Sequence, residues 1–271
     1  MDGFKTNFDY PLIMGVINLD EQSFYENSRA QDLDGFMNRV EAQIKEGADI
    51  IDIGPTSSRP GASLSKASEE LVKLKKYVPH LMRHFPGTCF SIDTYHSEVA
   101  DYCLSEGFQI LNDISASSLD DKLLKVCKSH EAVYILMHMR GNPKNMQEFT
   151  YYNDIVKEIG DFFELGLEKL KYFGISQVFL DPGFGFGKSL NDNFKLLKNL
   201  TKFKHYNCPL LVGLSRKTMI QKTLDVSAEE ALNGTTAAHV LALEQGANIL
   251  RVHDVREAKE AVKIWSVYAA V

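Results

Sequence analysis

The sequence predicts a closed (β/α)8 barrel, the TIM-barrel architecture, built as one domain over residues 1–271. Three observations predict it. Eight short apolar runs recur along the chain, each followed by a segment of helical periodicity, and alternating strands and helices build parallel sheets. Eight such units fit the length of 271 residues, because a barrel of this kind needs about 250. Almost every run also ends in a polar or charged residue. A doubly wound open sheet is the rival arrangement.

The first strand is Leu12 to Ile17, ending at Asn18, and the polar stretch from Leu19 to Arg29 reads as a loop. A helix over 32–46 carries Leu33, Phe36, Met37, Val40 and Ile44 on one face, with Gly47 as its stop. Ile50 to Gly54 is the second strand, followed by a loop over 55–61 and a helix over 65–85. Cys89 to Ile92 ends at Asp93, and a helix over 96–106 stops at Gly107. Ile110 and Leu111 end at Asn112, with a helix over 119–129. Val133 to Met137 ends at His138, with a helix over 153–173. Val178 to Leu180 ends at Asp181, and a helix over 190–200 takes Asn191 or Asp192 as its cap. Leu210 to Gly213 leads into Leu214 to Lys217, followed by helical pieces over 218–224 and 228–245. Ile249 to His253 is the eighth strand, and a helix over 255–270 closes the chain.

Asp181 opens the most distinctive stretch, Asp-Pro-Gly-Phe-Gly-Phe-Gly-Lys-Ser over 181–189. A phosphate-binding P-loop has four residues between its first glycine and Gly-Lys-Ser, and here only Phe184, Gly185 and Phe186 intervene. The dinucleotide fingerprint Gly-x-Gly-x-x-Gly is absent too, since the spacing is Gly-x-Gly-x-Gly. The alternating glycines instead let backbone approach a flat or charged ligand, with Phe184 and Phe186 beside it.

Composition narrows the partners. The net charge of −6 argues against a nucleic-acid binder. The four cysteines show no metal-ligand spacing and read as reduced residues of a cytoplasmic protein. The N-terminus is no secretory signal, and no apolar run approaches the ~20 residues of a membrane helix.

In a parallel barrel the strand C-termini share one face, where active sites are built. Asn18, Asp93, Asn112, His138, Asp181, Lys217, Arg251 and His253 all fall there. Asp93, Asn112, Asp181 and Lys217 offer donors and acceptors for a flat heteroaromatic ring. Arg251 and His253, aimed the same way by strand alternation, form with Asn18 a cationic corner suited to phosphate or pyrophosphate.

The segments Met14 to Asn18, Gly47 to Gly54, Ser58 to Gly61, Ser91 to Thr94, Leu111 to Ser115, Met137 to Gly141, Leu180 to Lys188, Ser215 to Lys217 and Arg251 to Asp254 together resemble the dihydropteroate synthase family of pterin-binding enzymes. The resemblance implies condensation of 6-hydroxymethyl-7,8-dihydropterin pyrophosphate with p-aminobenzoate in a cytoplasmic homodimer that is a sulfonamide target. It also implies roles. Asp93, Asn112, Asp181 and Lys217 would hold the pterin. Asn18, Arg251 and His253 would hold the pyrophosphate, with Mg²⁺ on Asn18. Ser58, Arg59, Phe186 and Ser215 would border p-aminobenzoate. Asp93, Asp181, Lys217, Arg251 and His253 would carry a dissociative reaction.

Several positions depart from the family pattern. Asp20 to Asn27 stands where Thr-Pro-Asp-Ser-Phe-Ser-Asp-Gly is usual, keeping Ser23, Phe24 and a carboxylate at Glu26. Gly54 to Arg59 replaces Gly-Gly-Glu-Ser-Thr-Arg, Ala116-Ser117 replaces two glycines, and His96 replaces a lysine. Two other readings share the pterin cradle: a methyltetrahydrofolate:corrinoid methyltransferase, and a non-catalytic pterin-binding paralogue. The Ser-Arg-Lys and Arg-x-His sets separate this chain from the first. Retention of Asn18, Lys217, Arg251 and His253 speaks against the second.

Overall fold

The structure, a computed structural model, describes residues 10–19, 29–56 and 64–271. Eight parallel strands lie in the order β6-β5-β4-β3-β2-β1-β8-β7. They are β1 Leu12–Asn18, β2 Ile50–Gly54, β3 Cys89–Asp93, β4 Ile110–Asp113, β5 Val133–Met137, β6 Val178–Asp181, β7 Leu211–Val212 and β8 Ile249–Val252. A Leu180–Leu210 bridge joins β6 to β7, and the Leu180 amide donates to Pro209 O at 2.9 Å. The sheet thereby closes into the predicted barrel.

Among the described residues, the helices are α1 Arg29–Glu46, α2 Ala67–His84, α3 Ser97–Ser105, α4 Leu123–Ser129, α5 Ile155–Tyr172, α6 Leu190–Lys198, α7 Thr218–Leu224, α8 Leu232–Glu244 and α9 Val255–Ala269. The expected boundaries hold within a few residues for most elements. Two local readings change. Residues 119–122 precede α4 outside the helix, and the Asp120 carboxylate instead accepts from the Ser97 amide at 2.7 Å, at the start of α3. The cap of α6 is Ser189, whose Oγ accepts from the Asp192 amide at 3.1 Å, so neither Asn191 nor Asp192 caps it. A Ser with extended backbone just before the first helical residue satisfies an orphan N–H that no residue inside the helix can reach.

The barrel interior follows from register. Pairing of Met14 with Ile50, Ile50 with Cys89, Ser91 with Ile110, and Ile110 with Val133 places these side chains on one inner surface. Met14, Ile50, Ile110, Val133, Ile135, Phe179, Leu211 and Ile249 fill the lower barrel as one apolar cluster. Each buried side chain of this size contributes about 1.5–3 kcal/mol. This plug closes the N-terminal end, so the barrel opens only at its C-terminal face.

Candidate active site

One step up the same period-two alternation, the inner surface turns polar. Asp52 pairs in register with Ser91, Asp93 with Asn112, and Met137 with Asp181. Asp52, Ser91, Asn112, Asp93 and Asp181 are all buried. Arg251 reaches across them from β8. Its Nε lies 2.8 Å and its Nη2 2.6 Å from Asp52 Oδ2, and Nη2 also donates to Asp93 Oδ2 at 2.8 Å. Asn112 Nδ2 donates to the same Asp52 oxygen at 3.1 Å.

Burial pushes Asp93 up to about 7; the Arg251 charge works against this, while Asp52, Glu70 and Asp113 add to it. Asp181 is also raised by burial, an effect opposed by the Lys217 charge and by the Gly183 amide donating to Oδ1 at 2.7 Å. Lys217 is brought down to about 8 by burial, with Asp181 opposing and Arg251 adding to the depression. Two carboxylates and one lysine of the cup are therefore displaced toward neutrality by desolvation, as at sites built for proton and charge management. Asp52 Oδ1 and Ser91 Oγ are buried and accept no hydrogen bond among the described residues. They can serve donors of a bound ring.

Beside the polar floor stands an apolar wall of Tyr95, Ile114 and Met137, with Met139 and Phe186 packed on it. The Phe186 ring centroid lies 4.7 Å from Lys217 Nζ, which also donates to Phe184 O. The glycine loop thus folds over the lysine. Gly183 permits this: its φ is +69°, and a Cβ there would fall 2.0 Å from His138 O. The turn after β7 is fixed by Arg216, at φ +52°, whose Nε and Nη2 donate to Asp254 at 2.8 and 2.9 Å. This fork ties β7's turn to the end of β8, and the His253 amide donates to Ser215 Oγ at 3.3 Å. Between the glycine loop and α7 lies a cavity of about 460 Å³ lined by Gln147, Gly185, Ser189, Thr218 and Lys222.

Of the residues expected from sequence, Asp93, Asn112, Asp181, Lys217, Phe186 and Arg251 meet in this cup. Ser215 and His253 meet at its edge, and Asn18 ends β1 at the same face. Ser58, Arg59 and the positions Asp20 to Asn27 lie outside the described residues. Two expectations change. Arg251 does not stand free in a cationic corner, because two carboxylates hold its guanidinium over the floor. His138 faces away from the mouth: Met137 takes the inward position opposite Asp181, and His138 lies edge-on to Phe162 at 4.9 Å. Burial, and then the Lys188 and Arg140 charges, push it well below the ordinary histidine value. Counting alternation back from Asp181's partner would have predicted this.

Sequence reasoning missed Asp52, Met137 and Ile114. Asp52 had a visible signal, an acid between isoleucines in a buried run. Among the described residues no group of three His, Cys, Asp or Glu could hold a metal, and the Asn18 carboxamide at the end of β1 offers one oxygen of the kind Mg²⁺ takes. The fit is that of a single ligand. Gly54 leaves room for the carboxamide, as a Cβ there would lie 2.6 Å from Asn18 Oδ1. Mg²⁺ commonly takes one or two protein oxygens with substrate phosphates and water.

A family model described as pterin binding enzyme matches residues 14–253. Dihydropteroate synthase of Escherichia coli (strain K12) is 39% identical over 264 residues, spanning 97% of this chain and 93% of that protein. The crystal structure of the Yersinia pestis dihydropteroate synthase with a sulfonamide drug complex aligns at TM-score 0.93 and 36% identity, covering 100% of this chain and 98% of that one. Xanthomonas albilineans dihydropteroate synthase with 4-aminobenzoic acid aligns at TM-score 0.88 and 32% identity, covering 98% and 96%.

Proposed function

This chain belongs to the pterin binding enzyme family, and from that premise we propose how its barrel performs the dihydropteroate synthase reaction of folate synthesis. The enzyme is a transferase. It joins 6-hydroxymethyl-7,8-dihydropterin pyrophosphate to p-aminobenzoate and releases 7,8-dihydropteroate and pyrophosphate. The observation that carries the reading is the buried set of Asp52, Asp93, Asn112 and Asp181 bridged by the half-buried Arg251 above an apolar plug, with Lys217 at its rim. Such a set matches the alternating donors and acceptors of a pterin edge, and its apolar wall matches the flat face.

Asp181 and Asn112 orient the ring, and Lys217 donates to its acceptor edge. The C–O bond to pyrophosphate breaks first, and the electron pair leaves with the oxygen. The methylene cation left on the dihydropterin is stabilised by the ionised carboxylates of Asp93 and Asp181. The aniline nitrogen then bonds to that carbon and loses a proton. No side chain acts as nucleophile. Arg251, shared between Asp52 and Asp93, couples the acids to the leaving side, and His253 at the rim receives the pyrophosphate. Mg²⁺ arriving with the pyrophosphate would take the Asn18 carboxamide oxygen and offset phosphate charge. p-Aminobenzoate lies between Phe186 and Ser215, next to the cavity at Thr218 and Lys222.

A homodimer fits the exposed apolar side chains Leu241 on α8 and Ile264, Val267 and Tyr268 on α9, and sedimentation of the purified protein tests it. No helix among the described residues is long and apolar enough to cross a membrane.

The deciding assay supplies purified protein with the pterin pyrophosphate, Mg²⁺ and p-aminobenzoate, and follows both products. Dihydropteroate must appear, and a sulfonamide must compete with p-aminobenzoate. Tight pterin binding without turnover would indicate the non-catalytic paralogue, and methyl transfer from methyltetrahydrofolate to a corrinoid the methyltransferase. Pyrophosphate release that strictly requires p-aminobenzoate would refute the dissociative order.

A further inference from the structure

Lys188 takes no part in the chemistry above, yet its ammonium is enclosed beneath the glycine loop at 4% exposure. Nζ lies 2.7 Å from Gly183 O, 3.0 Å from Phe186 O, 3.3 Å from His138 O and 3.1 Å from His138 Nδ1. All four neighbours can accept. An ammonium carries three N–H bonds, enough for the three carbonyls. A neutral amine carries two, and would leave a buried carbonyl unserved with its own lone pair among oxygens. Burial pushes this lysine well below its ordinary value, and Asp181 pulls the other way. The acceptor set favours the charged form, and a neutral His138 is consistent with it.

The loop so held carries three functions. Its Gly183 amide serves Asp181, its Phe184 carbonyl serves Lys217, and its Phe186 ring covers Lys217. Neighbouring contacts brace it from outside: Tyr152 donates to Gly187 O at 3.1 Å, and Asn193 accepts from the Gly185 amide at 2.8 Å. Lys188 brings a full charge to the loop together with hydrogen bonds to the Gly183 and Phe186 carbonyls.

We propose that Lys188 is a positioning residue for Asp181, its buried ammonium fixing Gly183 and Phe186 while its charge sets the carboxylate for the pterin. This rests on the pterin reading above. The charged groups facing Asp181 are Lys217 after β7, Arg251 on β8 and Lys188. Those facing Lys188 are Asp181, Lys217, Arg140 beyond β5 and Asp192 on α6, with His138 in contact. Each cation favours the ionised form of Asp181. Removing one therefore lets this carboxyl take up its proton at higher pH, and the bond to ring N–H groups is then lost at higher pH too.

The test uses Lys188→Met and Lys188→Arg, with 6-hydroxymethyl-7,8-dihydropterin as the probe, its affinity measured by calorimetry across pH. The Met variant is expected to bind about tenfold more weakly at neutral pH, the equivalent of about one charge-assisted contact. Its acid limb should move to higher pH, while the Arg variant keeps the wild-type limb. A purely structural lysine would lower the melting temperature and leave the limb in place. A folded Met variant with wild-type affinity and limb overturns the proposal. If that variant does not fold, ¹⁵N-lysine NMR of the wild type decides. An ammonium signal at neutral pH that disappears in Lys188→Arg supports the proposal, and a neutral amine overturns it. Wild-type protein that binds no pterin would bring down the functional reading and this inference with it. Normal wild-type binding beside an unchanged Met variant removes the inference alone.

Discussion

Asp52 Oδ2 lies 2.8 Å from Nε and 2.6 Å from Nη2 of Arg251, while the carboxylate itself is fully buried. The acid and the guanidinium stand 199 residues apart in sequence and share one inner layer of the barrel. Arg251 keeps Asp93 when Asp52 is removed, so the loss is that of its charge-assisted bonds to one carboxylate, about 1.5–3 kcal/mol. Asp52→Ala should lose stability on that scale in urea unfolding, and should also free Asn112 from its partner.

The pH profile of kcat/KM should be narrow. Asp93, held at about 7, protonates as pH falls through that value and can then no longer stabilise the cation or grip Arg251. Lys217, at about 8, loses its proton as pH rises through that value. The optimum should lie between the two, since kcat/KM reports the free enzyme. The Asp52 charge is among the causes that raise Asp93, so Asp52→Asn should move the acid limb to lower pH. An unmoved limb in that variant would count against the assignment to Asp93.

Arg251→Ala and His253→Ala should part company. From sequence alone both belong to the pyrophosphate corner, and both should spare bare pterin affinity. In the structure Arg251 clamps Asp52 and Asp93, so its loss should weaken binding of the bare pterin as well as turnover. His253→Ala should lower turnover and leave the affinity of the bare pterin near wild type. Calorimetry with 6-hydroxymethyl-7,8-dihydropterin separates them.

Two glycines should respond to alanine in opposite ways. At Gly183 the added Cβ meets the His138 carbonyl oxygen at 2.0 Å, and backbone cannot yield as a side chain can. Gly183→Ala should unfold the loop and lose Asp181's amide contact. At Gly213 the Cβ would lie 3.7 Å from Lys217 Nζ and 4.0 Å from Arg251 Cβ, ordinary contact distances. Gly213→Ala should fold normally yet bind pterin poorly, because the methyl group stands between Lys217 and Arg251. A thermal melt paired with a binding titration reads both outcomes.

Ala116 and Ser117 occupy left-handed backbone at φ 51° and 60°. Asp113 holds the turn there, accepting from the Ser115 and Ser117 amides and the Tyr134 hydroxyl. A Cβ in this region costs about 1 kcal/mol. Ala116→Gly should therefore raise the melting temperature by about 2 °C, with activity unchanged.

The legible part of the site lay at strand ends. Asp93, Asn112 and Asp181 each follow an apolar run, and period-two alternation with parallel topology sends them to one mouth. Asp52 was harder to see because it lies inside its strand rather than at the end. Met137 and Ile114 looked like ordinary core residues, since an apolar residue lining a pocket and one filling a core have the same chemistry. His138 was misplaced by one step of alternation.

The order of apolar runs, helical faces and turn residues decided the eight-unit barrel, because those signals are local and act within a few residues. What sequence could not decide is which charges meet. Strand β2 pairs with β1 as the next unit of the chain, whereas β8 reaches the other edge of β1 only when the barrel closes. Closure brings the Arg251 guanidinium to Asp52 and Asp93 and turns an expected anion corner into a clamp on the acids. Electrostatic partnership depends on distances of a few ångströms and on burial, and both exist only once the chain has folded around them.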